Sequence, residues 1–147
     1  MSVMMSVTVR TMLRGKPDIY AVGPDAAVFD ALQLMADKNI GAVLVVAGEK
    51  IEGIFSERDY ARRVILTGKT SRETLVREIM TTPVICVHPD WTADQCMALM
   101  TDKRVRHLPV LEVDRLVGVI SIGDVVKAII AEQEFLIEQL QNYITGR

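Results

Sequence analysis

Cysteine is scarce here: Cys86 and Cys96 are the only two in 147 residues. They lie in a strand-like and a helix-like stretch, outside any Cys-x-x-Cys or Cys/His cluster. That argues against a structural zinc site, and two buried free thiols in a reducing cytoplasm are expected. Charge of one sign is also lacking. The formal net charge is −2, so no whole-protein field attracts nucleic acid or an anionic membrane, and any anion site must be local. Long apolar runs are absent; the longest, Ile40 to Ala47, is far too short to span a bilayer. The opening Met-Ser-Val-Met-Met-Ser-Val lacks the pattern of a signal peptide, and its repeated Met-Ser-Val suggests an uncertain translation start. A cytoplasmic protein is expected. Aromatics are few, and Trp91 has no aromatic neighbours on which bases could stack. His88, before Pro89 in a turn, is expected to be exposed. Gly48 and Gly53 have the spacing of a phosphate-binding loop, but Ile54 follows where Lys-Ser/Thr is needed. There is no Gly-x-Gly-x-x-Gly, no His-Glu-x-x-His, and no Ser/His/Asp order that places a nucleophile.

What is present is a repeat. Half the residues are apolar and 24% charged, enough for one compact domain with a core. A shift of 65 positions aligns Val22–Asp59 with Val87–Asp124 without a gap. Pro24-Asp25 meets Pro89-Asp90, Leu34-Met35 meets Leu99-Met100, Gly53 meets Gly118, Ser56 meets Ser121 and Asp59 meets Asp124. Each copy reads β-α-β-β-α. A short strand (Ile19–Val22; Val84–Val87) precedes a helix opened by Pro-Asp, with Asp as N-cap. Helical spacing of Val28, Ala31, Leu32 and Met35, and of Cys96, Leu99 and Met100, marks the buried faces. Ala42–Val46 with Ile51–Phe55, and Leu108–Leu111 with Leu116–Ile120, read as hairpins turning at Gly48–Lys50 and Val113–Arg115. Thr70 and Glu73 form a capping-box pattern for a linking helix through Met80, ended by Pro83. Val9–Leu13 echoes Val76–Met80, so the leader belongs to the repeat. The division is 1–69 for the leader and first copy, and 70–147 for the linker, second copy and final helix.

The last helix outruns its counterpart. Val125, Ile129, Leu136, Leu140 and Tyr143 form one apolar stripe and Val126, Ile130, Ile137 and Ile144 a neighbouring one; Gly146 is the expected stop. Such a face either folds back on its own core or meets a second copy, and a homodimer is the expectation.

Gly-x-x-Ser-x-x-Asp at both strand-to-helix junctions, in a tandem β-α-β-β-α repeat, resembles the CBS-domain pair, or Bateman module. Arg104–Val110 and Gly118–Asp124 resemble the family's signatures closely. The likeness covers nearly the whole chain and is strongest to stand-alone bacterial CBS-pair proteins. It implies an α/β fold: two pseudo-twofold-related β-α-β-β-α repeats in one compact module, with a long C-terminal helix. It also implies a non-catalytic sensor that binds an adenosine compound (AMP, ADP, ATP, NAD(H) or S-adenosylmethionine) in clefts between the repeats, with no metal required. Since the chain carries no catalytic domain, the regulated partner, if any, is expected to be a separate protein.

Ser-x-x-Asp is also an ordinary helix cap. The same geometry serves a ligand: free N–H groups attract phosphate, and an ionised Asp accepts two hydroxyls of a ribose diol. The resemblance makes Asp59 and Asp124 ribose readers and sets Ser56 and Ser121 beside the phosphate. Arg106 and His107 add cations where the first copy has Gly41 and Ala42. Arg106 suits bidentate phosphate binding, and His107 is either a phosphate donor or a satisfied buried histidine. Arg58 either reaches a phosphate or pairs with Glu57 or Asp59. Arg62, Arg63 and Lys69 read as a solvated face, Arg62 alternatively as an extension of the phosphate field one turn after Arg58, and Arg104 as a solvated helix end. The resemblance assigns adenine to Lys16, Ile19 and Tyr20 in one cleft and to Thr82, Pro83 and Val84 in the other; Tyr20 also reads as an ordinary half-buried strand residue. Unequal sites are expected. The rivals are an interaction module with vestigial clefts and an enzyme using His107 with Asp59 or Asp124.

Overall fold

The computed structural model describes residues 7–16 and 19–145. The initial Met-Ser-Val and the expected stop at Gly146 lie outside the described residues. In chain order the elements are helix α1 (Val9–Met12), strand β1 (Ala21–Val22), helix α2 (Val28–Lys38) and strands β2 (Ala42–Ala47) and β3 (Lys50–Ser56). Then come helix α3 (Glu57–Tyr60), running on as a π-helical turn over Ala61–Ile65, and helix α4 (Val76–Ile79). Helix α5 (Ala93–Lys103), strands β4 (His107–Glu112) and β5 (Arg115–Ser121) and helix α6 (Ile122–Thr145) complete the order.

The chain forms two compact units. One is Ile19–Val84; the other combines the chain before it with the chain after it. Packing thus divides the chain differently from the 69/70 division of the repeat in sequence. Each leader is exchanged: α1, ahead of the first copy, packs with the second, and α4, ahead of the second, packs with the first. The cores match position by position under the 65-residue shift. Val28, Ala31, Met35, Val45 and Phe55 are buried in one unit, and Ala93, Cys96, Met100, Val110 and Ile120 in the other. Each such Val, Ile or Phe contributes about 1.5–3 kcal/mol by burial.

The leaders are clipped on by equivalent backbone bonds. Val9 N donates to Trp91 O and Ala93 N to Val7 O, both at 2.8 Å. In the other unit Val76 N donates to Ala26 O and Val28 N to Thr74 O, again at 2.8 Å. Gly118 lies under Leu13 and Gly53 under Met80, close enough that a Cβ would meet Leu13 Cδ2 at 2.5 Å or Met80 Sδ at 2.6 Å. The glycine of the repeated motif admits the exchanged leader.

Several boundaries differ from the sequence expectation. Pro-Asp does not cap the helices: α2 starts after Ala27, and α5 after Thr92, which forms a capping box with Gln95. Asp25 pairs with Arg77 at 2.7 Å, and Asp90 with Arg10 at 3.3 Å. The linking helix starts at Val76 rather than Thr70, because the Thr74 and Ser71 carbonyls accept from Val28 N and Phe29 N and so satisfy the first turn of α2. The first strand is only Ala21–Val22 in one copy, parallel to β2, and a single bridge, Val87 to Val110, in the other. Proline explains the difference. Leu44 N donates to Tyr20 O at 3.3 Å, and the position equivalent to Leu44 is Pro109, which has no N–H to give. Both hairpins are antiparallel and carry a bulge at equivalent places, Val45/Val46 and Val110/Leu111. Cys96 is buried but Cys86 only half-buried. Burial pushes the Cys96 thiol up to about 11.

Candidate functional site

In the unit Ile19–Val84, β3 delivers Ser56 to the start of α3, where Ser56 and Asp59 form a capping box. The Ser56 amide donates to Asp59 Oδ2 at 3.0 Å and its hydroxyl to the same oxygen at 3.1 Å. Asp59 N returns a bond to Ser56 Oγ at 3.2 Å. The Thr81 hydroxyl donates to Asp59 Oδ1 at 2.9 Å. Both oxygens of Asp59 are therefore engaged, and the residue is only 8% exposed. Arg58 is exposed and makes no ion pair with Glu57 or Asp59. The Arg63 guanidinium donates to the carbonyls of Ile79 and Met80 at 3.3 and 3.1 Å, closing the end of α4.

The other unit repeats the arrangement with different chemistry. The Ser121 amide donates to Asp124 Oδ2 at 2.7 Å, and Asp124 N donates to Ser121 Oγ at 3.2 Å. The third partner is the Lys16 ammonium, 2.6 Å from Asp124 Oδ2. The two side chains are 29% and 21% exposed, so the pair is largely shielded from water. Burial pushes Asp124 up, but Lys16 and the Ser121 amide outweigh it and hold the carboxyl below its ordinary value. His107 stands opposite Ser121 in the β4–β5 register. Burial, then the charges of Lys16 and Arg106, lower its pKa against the opposing pull of Asp124. Arg106 is exposed, and its carbonyl accepts from Ile122 N at 2.8 Å.

The structure thus brings Lys16, His107, Ser121 and Asp124 together, with the Arg106 charge felt at the histidine. Lys16 is on a carboxylate rather than in an apolar slot. Ile19 is partly exposed; Tyr20 packs on the core of its own unit, with the Lys38 ammonium 5.2 Å from its ring centroid. Thr82 and Pro83 are exposed and Val84 is half-buried, directly after Thr81. Thr81 and Lys16 are equivalent positions, 65 residues apart, each holding the acid of the unit into which its leader is exchanged. That shift is the signal that could have found Thr81. Of the remaining histidines and aromatics, His88 is exposed, its Nδ1 accepting from Asp90 N at 3.1 Å, and Trp91 is half-buried. Chemically, the Lys16 cluster offers cationic donors beside a carboxylate that accepts hydroxyls, and the Asp59 cluster offers a carboxylate without those cations. No helix among the described residues is long and apolar enough to cross a membrane.

Comparison with known proteins agrees with the repeated fold. The CBS domain family model matches residues 9–66 and 76–131. The mitochondrial CBS domain-containing protein CBSX3 of Arabidopsis thaliana is 42% identical over 127 residues, 83% of this chain and 62% of that protein. The chain therefore spans less than two thirds of that relative's length. A solved CBS-domain protein from Burkholderia ambifaria is 53% identical, with a TM-score of 0.83 over 86% of this chain and 96% of that one. The CBS domain pair of protein MJ0100, solved with 5′-methylthioadenosine and S-adenosyl-L-methionine, is 26% identical, with a TM-score of 0.74 over 86% and 98% of the two chains. The fold and site define a tandem pair of CBS domains, a nucleotide-binding regulatory class of module. This chain belongs to the CBS domain family.

Proposed function

We propose that this CBS pair is a non-catalytic, cytoplasmic sensor of an adenine nucleotide, either an AMP/ADP/ATP-type ligand or NAD(H), and that it regulates a separate protein. Asp59 and Asp124 read the ribose. Ser56, Arg58, Arg106, His107 and Ser121 serve the phosphates, and Ile19, Tyr20, Thr82, Pro83 and Val84 line the adenine. The observation that carries this reading is the convergence of Lys16, His107 and Ser121 on Asp124, which sets phosphate donors beside a hydroxyl acceptor. The adenosine compounds bound by the MJ0100 pair support the ligand class. Ligand binding orders the site and shifts the module between states, which is the sensing step.

The module works as a homodimer through α6. Ile130, Ile137 and Ile144 recur every seven residues with Val126 and Leu140 interleaved, and all five are exposed. That is a self-complementary helical seam.

A thermal-shift panel of AMP, ADP, ATP, NADH and S-adenosylmethionine tests the ligand class, with mass spectrometry of nucleotides that co-purify. A ligand at a hundred times its Kd stabilises by about 2.7 kcal/mol, a shift of several degrees in Tm. If no adenosine compound raises Tm, the sensor reading is wrong. An interaction module acting through α6 then takes its place, a reading favoured by the engagement of both oxygens of Asp59 within the unit.

A further inference from the structure

We propose that Lys16 is an exchangeable counter-ion: an anionic ligand draws its ammonium from Asp124 onto phosphate, and that exchange opens Oδ2, so that both carboxylate oxygens can take the ribose diol. The inference rests on the adenine-nucleotide reading and adds which ligands one of the two sites accepts.

Asp124 and Asp59 occupy equivalent positions but are not equally available. Asp59 is bonded at both oxygens, by Thr81 at Oδ1 and by Ser56 at Oδ2. Asp124 carries Lys16 and the Ser121 amide on the single oxygen Oδ2. A neutral hydroxyl donor, Thr81, has no reason to leave for an anion. An ammonium at the end of a flexible four-carbon stem does, since a phosphate satisfies it as well as a carboxylate. The surroundings favour the move. His107 feels the charges of Lys16, Asp124 and Arg106, whereas the positions equivalent to Arg106 and His107 in the other unit are Gly41 and Ala42.

The exchange makes the ligand's charge a condition of ribose recognition. To place its ribose diol on both carboxylate oxygens, a neutral nucleoside must displace Lys16 from Oδ2 of Asp124, and it offers the ammonium nothing in return. A nucleotide offers it a phosphate. Lys16 is therefore a specificity-determining residue: it strengthens the binding of phosphorylated adenosine and weakens that of adenosine itself. An ordinary phosphate-binding lysine would do only the first.

The test uses the full chain and follows the ring signals of His107 by NMR during titration with AMP and, separately, with adenosine; the only other histidine is His88. In the wild-type chain AMP is expected to bind at least tenfold more tightly than adenosine. Lys16→Thr, which installs the residue of the equivalent position, is expected to weaken AMP and to tighten adenosine about threefold or more. Lys16→Gln provides a second variant, and each is first matched to wild type by Tm. Adenosine affinity that stays the same or falls in both variants overturns the exchange while leaving the nucleotide reading intact. If neither AMP nor adenosine moves the His107 signal in the wild-type chain, the exchange and the nucleotide reading of this site both fall.

Discussion

The Lys16 ammonium and the Asp124 carboxylate stand 2.6 Å apart, joined across a separation of 108 residues. At the equivalent place in the other unit, the Thr81 hydroxyl meets Asp59 at 2.9 Å. One duplicated framework thus carries an ion pair in one copy and a neutral hydrogen bond in the other. In the ion-paired unit, Asp124 and His107 respond to acid.

Asp124 lies below its ordinary value of 3.8 in the folded chain. Its stabilisation is present above that value and is lost as pH falls through the folded pKa, because the unfolded chain takes the proton first. His107 is lowered from 6.5, so it too favours the folded state above 6.5 and loses that advantage as pH falls toward its folded value. The acid flank of stability should therefore begin just below 6.5 with His107 and continue below 3.8 with Asp124. Urea melts across pH should show the upper limb vanish in His107→Gln. Asp124→Asn should cost about 2 kcal/mol at neutral pH, and its gap from wild type should close in strong acid. A gap that widened in acid would contradict the assignment.

Gly118 and Leu13 form a steric pair, since a Cβ on Gly118 would meet Leu13 Cδ2 at 2.5 Å. Gly118→Ala should cost about 1–3 kcal/mol by overpacking. Combining it with Leu13→Ala should recover part of that loss, giving a favourable coupling in a double-mutant cycle. At Gly53 the new methyl would meet not only Met80 but also the Thr81 carbonyl at 3.1 Å. Trimming Met80 there should relieve less. Strict additivity at Gly118 and Leu13 would mean that the leader is not seated as described.

Much of this was legible in the sequence, and the exceptions have physical causes. The ungapped repeat located both hairpins, both buried helix faces and both Ser-x-x-Asp corners, because apolar period and turn chemistry are local properties. It could not say which copy each leader joins, since Val9 and Val76 fit either core equally well by type. The expected caps Asp25 and Asp90 are good N-cap residues, but carbonyls of the exchanged linker satisfy α2, and Thr92 caps α5. Lys16 and Thr81 escaped as partners of the acids because those pairings are made by the exchange. The shortened first strand of the second copy was readable in principle from Pro109, which removes the donor that Leu44 supplies in the first.

Val113 opens the second hairpin turn at φ +50°, followed by Asp114 at +61°. A β-branched residue is strained there, whereas the first hairpin has Gly48 at +63°. Val113 is 86% exposed, so little packing is lost on replacing it. Val113→Asn should raise stability by about 1 kcal/mol and Tm by a few degrees, measured by calorimetry. A lower Tm would show that the turn needs the valine for another reason.

The proposed dimer through α6 is tested by the association state. Ile137→Glu, alone or with Leu140→Glu, should shift the protein from dimer to monomer in sedimentation velocity while leaving the far-ultraviolet spectrum of the fold intact. A wild-type chain that sediments as a monomer at all concentrations would contradict the dimer.

The central claim is that Asp124 and its neighbours hold an adenine nucleotide, and isothermal titration of AMP, ADP, ATP and NADH into the wild-type chain and Asp124→Ala tests it most directly. Saturable binding of at least one of these by the wild type is expected, with a loss of tenfold or more for that ligand in Asp124→Ala. No saturable heat with any of the four, or equal affinity in both proteins, would contradict it.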